Sequence, residues 1–164
     1  MSRSLTVTWQ DPIAAFEAGK NMAGIDYMKE MIAGRIAAPP IMSLLGFRLA
    51  QVGDGLAVFE CEPGEQHYNP IGVVHGGLAM TLLDSAMGCC VHTRLPPKTG
   101  YTTLEVKVNL VRAITGKSGT IRATGKVIHF GGKTATAEAR LLDSEGQLVA
   151  HATTTCMLFG TPAG

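Results

Sequence analysis

Residues 77–93 constrain the fold more than any other part of the chain, because this stretch is apolar around the whole circumference of a helix. A helix without a polar face should be buried on nearly every side. A membrane span would need about 20 uncharged residues, whereas this stretch is shorter and carries Asp84. We therefore predict a helix wrapped by a sheet. Its large apolar residues are Leu78, Met80, Leu82, Leu83, Met87, Cys89, Cys90 and Val91.

The rest of the chain supplies strands for such a sheet. Apolar residues alternate with polar ones on both sides of Gly53-Asp54-Gly55, which indicates a hairpin. Longer alternating segments follow after residue 100 and are separated by turn signals such as Gly131-Gly132 and Asp143-Ser144-Glu145-Gly146. A long antiparallel sheet around one hydrophobic helix is an α+β domain. The alternating positions include Phe47, Leu49, Leu56, Val58, Leu104, Val106, Val108 and Leu110.

Two helices are predicted before the first strand. Asp11-Pro12 is typical of a helix start, so we expect a helix over 12–18 that ends near Gly19. Helical spacing of apolar residues predicts a second helix from Met22 to Ile36, which Pro39-Pro40 should stop. We expect one domain over 1–164, with an N-terminal helical arm over 1–42 and the core over 43–160.

Composition narrows the classes of function and partner. Apolar residues make up 46% of the chain and charged residues 16%, so we expect other subunits to cover part of the surface. A net charge of +1 without a basic cluster argues against nucleic acid. The first ten residues lack an apolar secretory segment, and the four cysteines lack zinc-type spacing. We expect a cytoplasmic protein without a metal site and without a membrane partner.

Asp84 is the first candidate for chemistry. It is the only charged residue between Glu65 and Arg94, and it lies in the middle of the apolar helix. Burying an unpaired carboxylate costs several kcal/mol, so such a residue should be either hydrogen-bonded or functional. A purely structural aspartate that caps a nearby loop or strand remains the alternative explanation.

The start of the same helix is the second candidate. His75-Gly76-Gly77 exposes backbone N–H groups at the positive end of the helix dipole, where an oxyanion could be stabilised. Close packing of helix against strand would explain the glycines equally well. Asp84 lies seven residues beyond Gly77, or roughly 10 Å along the helix axis. An antiparallel dimer would bring the Asp84 of one subunit to the glycines of the other.

These residues carry a resemblance to a known family. The stretch from His67 to Leu78, which contains Asn69-Pro70 and His75-Gly76-Gly77, together with the later Leu82-Leu83-Asp84-Ser85-Ala86, resembles the hot-dog acyl-CoA thioesterases of the phenylacetate-degradation (PaaI) type. The similarity extends over roughly residues 43–159. It implies a hot-dog fold and hydrolysis of an acyl-CoA to free acid and coenzyme A, with no separate cofactor.

The resemblance also implies roles for individual residues. The oxyanion donor corresponds to Gly76 or Gly77, of which we favour Gly77, and Asp84 of the opposite subunit corresponds to the nucleophile or general base. Asn69 would hold the carbonyl or the water, and Thr103 would position the water or the carboxylate. The remaining candidates are His75 for orienting the loop and Arg112, Lys117 and Lys133 for the coenzyme A phosphates.

Substrate and assembly are less constrained by the sequence. We expect an aromatic or medium-chain acyl group. Leu82, Met80, Met87 and the N-terminal helix with Met28 and Met31 could line an adaptable pocket or simply pack the core. We expect a homodimer or a dimer of dimers, that is, a homotetramer. Two alternative functions remain: a non-catalytic module that binds acyl-CoA, and an enoyl-thioester hydratase in which His67 would serve as the base.

Overall fold

The computed structural model describes residues 2–160. It contains four helices, one short 3-10 turn and six strands among these residues. The helices are α1 (Pro12–Gly19), α2 (Gly24–Ile32), α3 (Pro40–Leu45) and α4 (Gly76–His92), and the turn spans Glu65–His67. The strands are β1 (Phe47–Gly53), β2 (Leu56–Cys61), β3 (Thr99–Leu110), β4 (Ile121–Phe130), β5 (Thr134–Leu142) and β6 (Leu148–Gly160).

The six strands form one antiparallel sheet in the order β1-β2-β4-β5-β6-β3. The helix α4 packs against this sheet, and the predicted α+β fold is confirmed. Glycine at position 125 allows the close approach of β4 to α4, because a Cβ there would lie 2.2 Å from the carbonyl oxygen of Ala86. Within residues 2–160, no helix combines the length and hydropathy that a membrane crossing requires.

The prediction that α4 is buried on nearly every side is correct for one face only. The residues that face the sheet, such as Leu82, Leu83 and Met87, are fully buried. A stripe along the opposite side is only partly covered in the single chain, because β3 contacts it at some positions, such as Gly76 and Asp84, and leaves the rest uncovered. We call this stripe the open face of α4; it consists of Gly76, Gly77, Thr81, Asp84, Ser85, Cys89 and His92, together with the exposed Met80.

The strand β3 departs from simple alternation. Tyr101 and Thr103 lie on the α4 side, yet Val106 and Val108 also pack against the core. A β-bulge between Thr103 and Glu105 inserts one extra residue and reverses which positions face inward. The expectation that Leu104 shares a face with Val106 and Val108 is therefore wrong, and Leu104 is 57% exposed.

The N-terminal arm differs from the prediction in its second half. α1 begins at Pro12, capped by the Asp11 side chain, as expected. α2 is shorter than expected, because the chain leaves the helix at a turn in which Gly34 has a φ of 73°. Pro39-Pro40 does not merely stop a helix. Pro40 occupies the first position of α3, where a missing N–H group carries no cost, and α3 spans the expected boundary between residues 42 and 43.

Candidate active site

Asp84 lies on the open face of α4 and is half-buried. The hydroxyl of Thr103 on β3 donates a hydrogen bond of 3.1 Å to its Oδ1 atom. The bulge in β3 makes this contact possible, because it turns Thr103 toward α4. The structure thus brings two of the predicted site residues together.

The surroundings of Asp84 are uncharged. Within residues 2–160, no lysine, arginine or histidine forms an ion pair with this carboxylate. Burial, and secondarily the negative charge of Asp84, raise the pKa of the Cys89 thiol to about 12. Burial likewise raises the pKa of Tyr101 well above its usual value, with smaller contributions from neighbouring thiols and Asp84. Both groups are therefore neutral at physiological pH, and among residues 2–160 the half-buried carboxylate has no counter-ion.

The N-terminus of α4 presents one free amide. His75 is the N-cap residue, and its Nδ1 atom accepts a hydrogen bond of 2.9 Å from the Gly77 amide. In the described part of the chain, nothing accepts a hydrogen bond from the Gly76 amide. The geometry in this chain therefore favours Gly76 as the available donor. Gly77, the donor that we favoured from the sequence, is already engaged with His75.

Asn69 organises the loop that precedes α4. Its Oδ1 atom accepts hydrogen bonds from the amides of Ile71 at 3.1 Å and Val73 at 3.2 Å. The side-chain carbonyl is thus used within the loop, and the side-chain NH₂ group is left as the donor that could reach a ligand. This arrangement suits a residue that orients a carbonyl or a water molecule.

His67 is buried and has both ring nitrogens occupied. Nδ1 accepts a hydrogen bond of 3.0 Å from the Gly64 amide, and Nε2 lies 3.1 Å from the carbonyl oxygen of Leu45. Since Nδ1 accepts, Nε2 must carry the proton and donate it to that carbonyl. An imidazole held in this way is not placed to abstract a proton from a substrate, which weighs against the hydratase alternative.

The expected coenzyme A contacts do not form one cluster within a chain. Arg112 follows the end of β3, where its Nη2 atom lies 3.4 Å from the Gln147 side chain. Lys133 is in the β4–β5 hairpin, where its carbonyl oxygen accepts a hydrogen bond from the amide of Leu158, and Leu158 pairs with Tyr101 near the start of β3. The two basic residues therefore lie near opposite ends of β3, roughly 30 Å apart at 3.3 Å per residue. Lys117 is exposed in the loop that follows Arg112.

The two halves of the site are also separated within one chain. A Cβ on Gly76 would lie 2.6 Å from Leu110 Cδ1, so the start of α4 packs against the end of β3, whereas Asp84 contacts Thr103 farther back along that strand. This agrees with the spacing of roughly 10 Å along the helix between Gly77 and Asp84. A carboxylate and an oxyanion donor that act on one carbonyl must be closer than this.

Three of the five predicted pocket residues are core, whereas Met31 is partly buried and Met80 is exposed. Met28, Leu82 and Met87 are at most 3% exposed and belong to the main hydrophobic cluster. Sequence alone could not distinguish these two roles, since packing and ligand binding both favour flexible apolar side chains. A cavity does exist at the far end of α4; its lining includes none of the five residues named for the acyl group, but it does include Met22, Gly24 and Tyr27 from the predicted second helix.

Comparison with known proteins gives a consistent picture. Residues 71–150 match the family model described as Thioesterase superfamily. A 1,4-dihydroxy-2-naphthoyl-CoA hydrolase of Listeria monocytogenes is 26% identical over 109 residues, which cover 66% of this chain and 87% of that protein.

Solved structures extend the likeness to the fold. A phenylacetic acid degradation-related protein of Ralstonia eutropha has a TM-score of 0.73 at 26% identity, covering 80% of this chain and 98% of that one. The PaaI protein of the phenylacetic acid degradation operon of Escherichia coli has a TM-score of 0.72 and covers 84% of this chain and 95% of its own. The identity in the second case is 18%, and this likeness bears on the fold alone.

Proposed function

We propose that this chain, a thioester hydrolase of the hot-dog PaaI type, cleaves an aromatic or medium-chain acyl-CoA to the free acid and coenzyme A. Asp84 supplies the carboxylate and the N-terminus of α4 supplies the oxyanion donor. The match to a relative that hydrolyses an aromatic acyl-CoA supports the choice of substrate class.

The observation that carries this proposal is the environment of Asp84. A half-buried carboxylate without a counter-ion is costly to the fold, and the single hydroxyl of Thr103 offsets only part of that cost. The same environment suits a base or nucleophile, because among residues 2–160 no cation pairs with the carboxylate and occupies its lone pairs. Thr103 fixes one carboxylate oxygen and leaves the other free to face a water molecule or the acyl carbon.

The Gly76 amide is the proposed oxyanion donor. It lies at the first position of α4, where the N–H groups have no partner within the helix and the helix dipole is positive. As the tetrahedral intermediate forms, negative charge develops on the former carbonyl oxygen and this interaction strengthens. A single donor of this kind typically contributes about 10²–10³-fold in rate. We assign the NH₂ group of Asn69 as a second donor to the same oxygen or to the water.

We further propose that each active site is shared between two subunits. β3 is an edge strand, and in the described residues no other strand pairs with its outer edge. Exposed apolar side chains lie along it and on neighbouring segments, namely Ile71, Met80, Leu104, Leu110 and Val111. A free edge flanked by apolar residues is a ready site for pairing with a second chain. Antiparallel pairing of two β3 edges would bring the start of one α4 toward the Asp84 of the other.

The shared site also gives the basic residues a common ligand. Arg112 of one subunit and Lys133 of its partner would lie at the same end of an antiparallel β3 pair. Both would then be able to contact the phosphates of one coenzyme A, which they cannot do within a single chain. His75 remains a positioning residue, since it holds the Gly77 amide and the entry to α4.

Two routes lead to the same products. In the first, Asp84 removes a proton from water, the hydroxide adds to the acyl carbon, and the carbon–sulfur bond breaks to release the coenzyme A thiolate, which takes up the proton. In the second, Asp84 attacks the acyl carbon itself, the thiolate leaves, and water hydrolyses the resulting mixed anhydride. Label in Asp84 after a single turnover in ¹⁸O-labelled water would identify the anhydride route, in which water attacks the Asp84 carbonyl carbon of the anhydride.

Thiol release across a panel of acyl-CoA substrates tests the proposal. We expect the full-length protein to release free thiol, detected with a disulfide reagent, from aromatic or medium-chain members of the panel. A change in enoyl absorbance without thiol would instead identify a hydratase. Tight binding of acyl-CoA without turnover of any member would leave the non-catalytic binding module as the function.

A further inference from the structure

A cavity of about 300 Å³ lies between the N-terminal arm and the far end of α4. We call it the arm cavity. The arm forms one wall through α1, α2 and the turn between them. The end of α4, the start of β3 and the end of β6 form the others. Its lining consists of Phe16, Gly19, Lys20, Met22, Gly24, Tyr27, His92, Leu95, Pro96, Thr99, Gly100, Tyr101 and Phe159.

The lining is rich in flat rings. The chain has only nine phenylalanine, tyrosine and tryptophan residues, and four of them line this one cavity. The His92 ring lies between two of these, with centroid distances of 5.4 Å to Tyr27 and 5.8 Å to Tyr101, the latter edge to face. Such walls offer a flat apolar ligand both stacking and edge contacts.

The titratable rings of the arm cavity are uncharged at neutral pH. Burial lowers the pKa of His92 to about 4, so its imidazole is neutral. Burial also raises the pKa values of Tyr27 and Tyr101 above their usual range, so both phenols keep their protons. The charged residue of the lining, Lys20, is paired with Glu17, so the remaining neutral and aromatic surface favours an apolar group.

The position of the arm cavity relates it to the proposed active site. Tyr101 lies two residues from Thr103 along β3, which is roughly 7 Å. His92 lies eight residues from Asp84 along α4, or about 12 Å. Asp84 and His92 both belong to the open face of α4. The Tyr101 ring lies over the intervening Gly88, where a Cβ would approach its hydroxyl oxygen to 2.6 Å, so this ring stands between the carboxylate and the cavity that it lines.

We infer that the arm cavity receives the distal end of the acyl group and selects an acyl chain that ends in an aromatic ring. This inference rests on the hydrolysis proposed above. With the carbonyl at Asp84 and Thr103, the ring must lie about 7–12 Å away, a distance that roughly three to seven methylene groups cover, because an extended chain advances about 1.3 Å per carbon–carbon bond. The cavity is large enough, since an engineered cavity of about 150 Å³ already holds benzene.

The arm cavity is also a feature of this chain beyond the matched family region. α1 and α2 lie outside residues 71–150, which match the family model, whereas Asp84, Thr103 and the start of α4 lie inside them. The arm therefore adds a selective wall to a common catalytic core. Benzoyl and acetyl groups are too short to reach it, so they should gain nothing from it.

Binding of two stable ligands tests the inference without turnover. Both are ketone analogues in which a methylene separates the coenzyme A sulfur from the carbonyl, so neither can be hydrolysed. One carries the phenylpropyl group of phenylbutanoyl-CoA, and the other carries a methyl group. Calorimetry on the full-length protein should give at least about tenfold tighter binding of the aryl ligand, from the apolar surface that the cavity buries.

Three variants test whether the arm cavity causes this difference in affinity between the aryl and methyl ligands. Met22→Trp fills the cavity from a half-exposed turn and should reduce the affinity ratio to less than about threefold. Phe16→Ala opens the wall on α1 and should reduce the ratio about three- to tenfold. Ile13→Ala is the matched control. It also removes an exposed apolar residue from α1, but one that does not line the cavity, and it should leave the ratio unchanged.

The outcomes separate this inference from the proposed function. Equal affinity of the wild type for the two ligands, or a ratio that survives in Met22→Trp and in Phe16→Ala, would overturn the assignment of the cavity. If the ratio and its loss are as expected but the wild type releases no thiol, the cavity assignment stands and the hydrolase proposal fails. If the wild type releases thiol but binds the aryl and methyl ligands equally, the hydrolase proposal stands and the cavity assignment fails.

Discussion

The two faces of α4 differ in what covers them and in what they carry. The face toward the sheet holds Leu82, Leu83 and Met87, which are fully buried. The open face holds Gly76 and Asp84, which are only partly covered by their own chain. One helix thus separates packing from chemistry by direction rather than by position along the sequence. Substitutions on one face should change stability, and those on the other should change turnover.

Asp84→Asn should produce the largest effect on the open face. The amide keeps the size and can still accept the Thr103 hydrogen bond, but it is neither a base nor a nucleophile. We expect kcat to fall by about 10⁴-fold, near the upper range for loss of a general base. Thermal unfolding should show a Tm equal to or above that of the wild type, because an unpaired half-buried charge is removed. Activity within tenfold of the wild type would remove Asp84 from the mechanism.

Leu83→Ala, one residue away, should have the opposite signature. Leu83 is fully buried, and its truncation leaves a cavity between α4 and the sheet. The free energy of unfolding should fall by about 2–5 kcal/mol in urea titration, while kcat/KM of the folded enzyme stays within about tenfold. Ser85→Ala, on the partly covered side, is the control and should change stability by less than about 0.5 kcal/mol. A large loss of turnover with unchanged stability would show that the two faces are not separate.

Thr103→Val should give a smaller effect that sharpens the description of the open face. Valine keeps the β-branched shape but removes the hydroxyl that contacts Asp84. Hydrogen bonds to charged groups contribute about 1.5–3 kcal/mol, so kcat/KM should fall roughly 10- to 100-fold. Thr102→Val, on the exposed side of the same strand, should behave as the wild type. Equal behaviour of the two variants would mean that the contact does not contribute to catalysis.

The sequence predicted the elements in which local pattern and tertiary environment agree. The hairpin at Gly53-Asp54-Gly55 and the length of α4 follow from turn chemistry and from a long apolar run. Asp84 stood out because it is a charge in that run. These features depend on residues that are close together in the chain.

Other features depend on strand parity, on side-chain geometry or on contacts between distant segments, and the order of residues does not specify these. The bulge after Thr103 reverses the inward positions of β3, and an alternating sequence is compatible with either parity. Pro39-Pro40 both ends one segment and begins α3, since proline suits the first position of a helix. The use of the Gly77 amide by His75 follows from side-chain geometry and has no signature in the residue order. The arm cavity forms between segments that are far apart in sequence.

The central claim is that Asp84 and the Gly76 amide act on one thioester from different subunits. A mixed dimer tests it, with Asp84→Asn in one chain and Gly76→Pro in the other, isolated by two affinity tags. Proline suits this first helical position, where it removes the amide donor and adds a ring beside Leu110. Gly76→Ala is the control, since it adds a Cβ at the same site beside Leu110 but keeps the N–H group.

Both parent homodimers should be nearly inactive, and Gly76→Ala should remain active. In the mixed dimer both substitutions fall in one of the two symmetric sites, which leaves the other intact. We therefore predict about half of the wild-type kcat per dimer. A mixed dimer as inactive as its parents would contradict the shared site, because that is the result expected if both residues act within one chain.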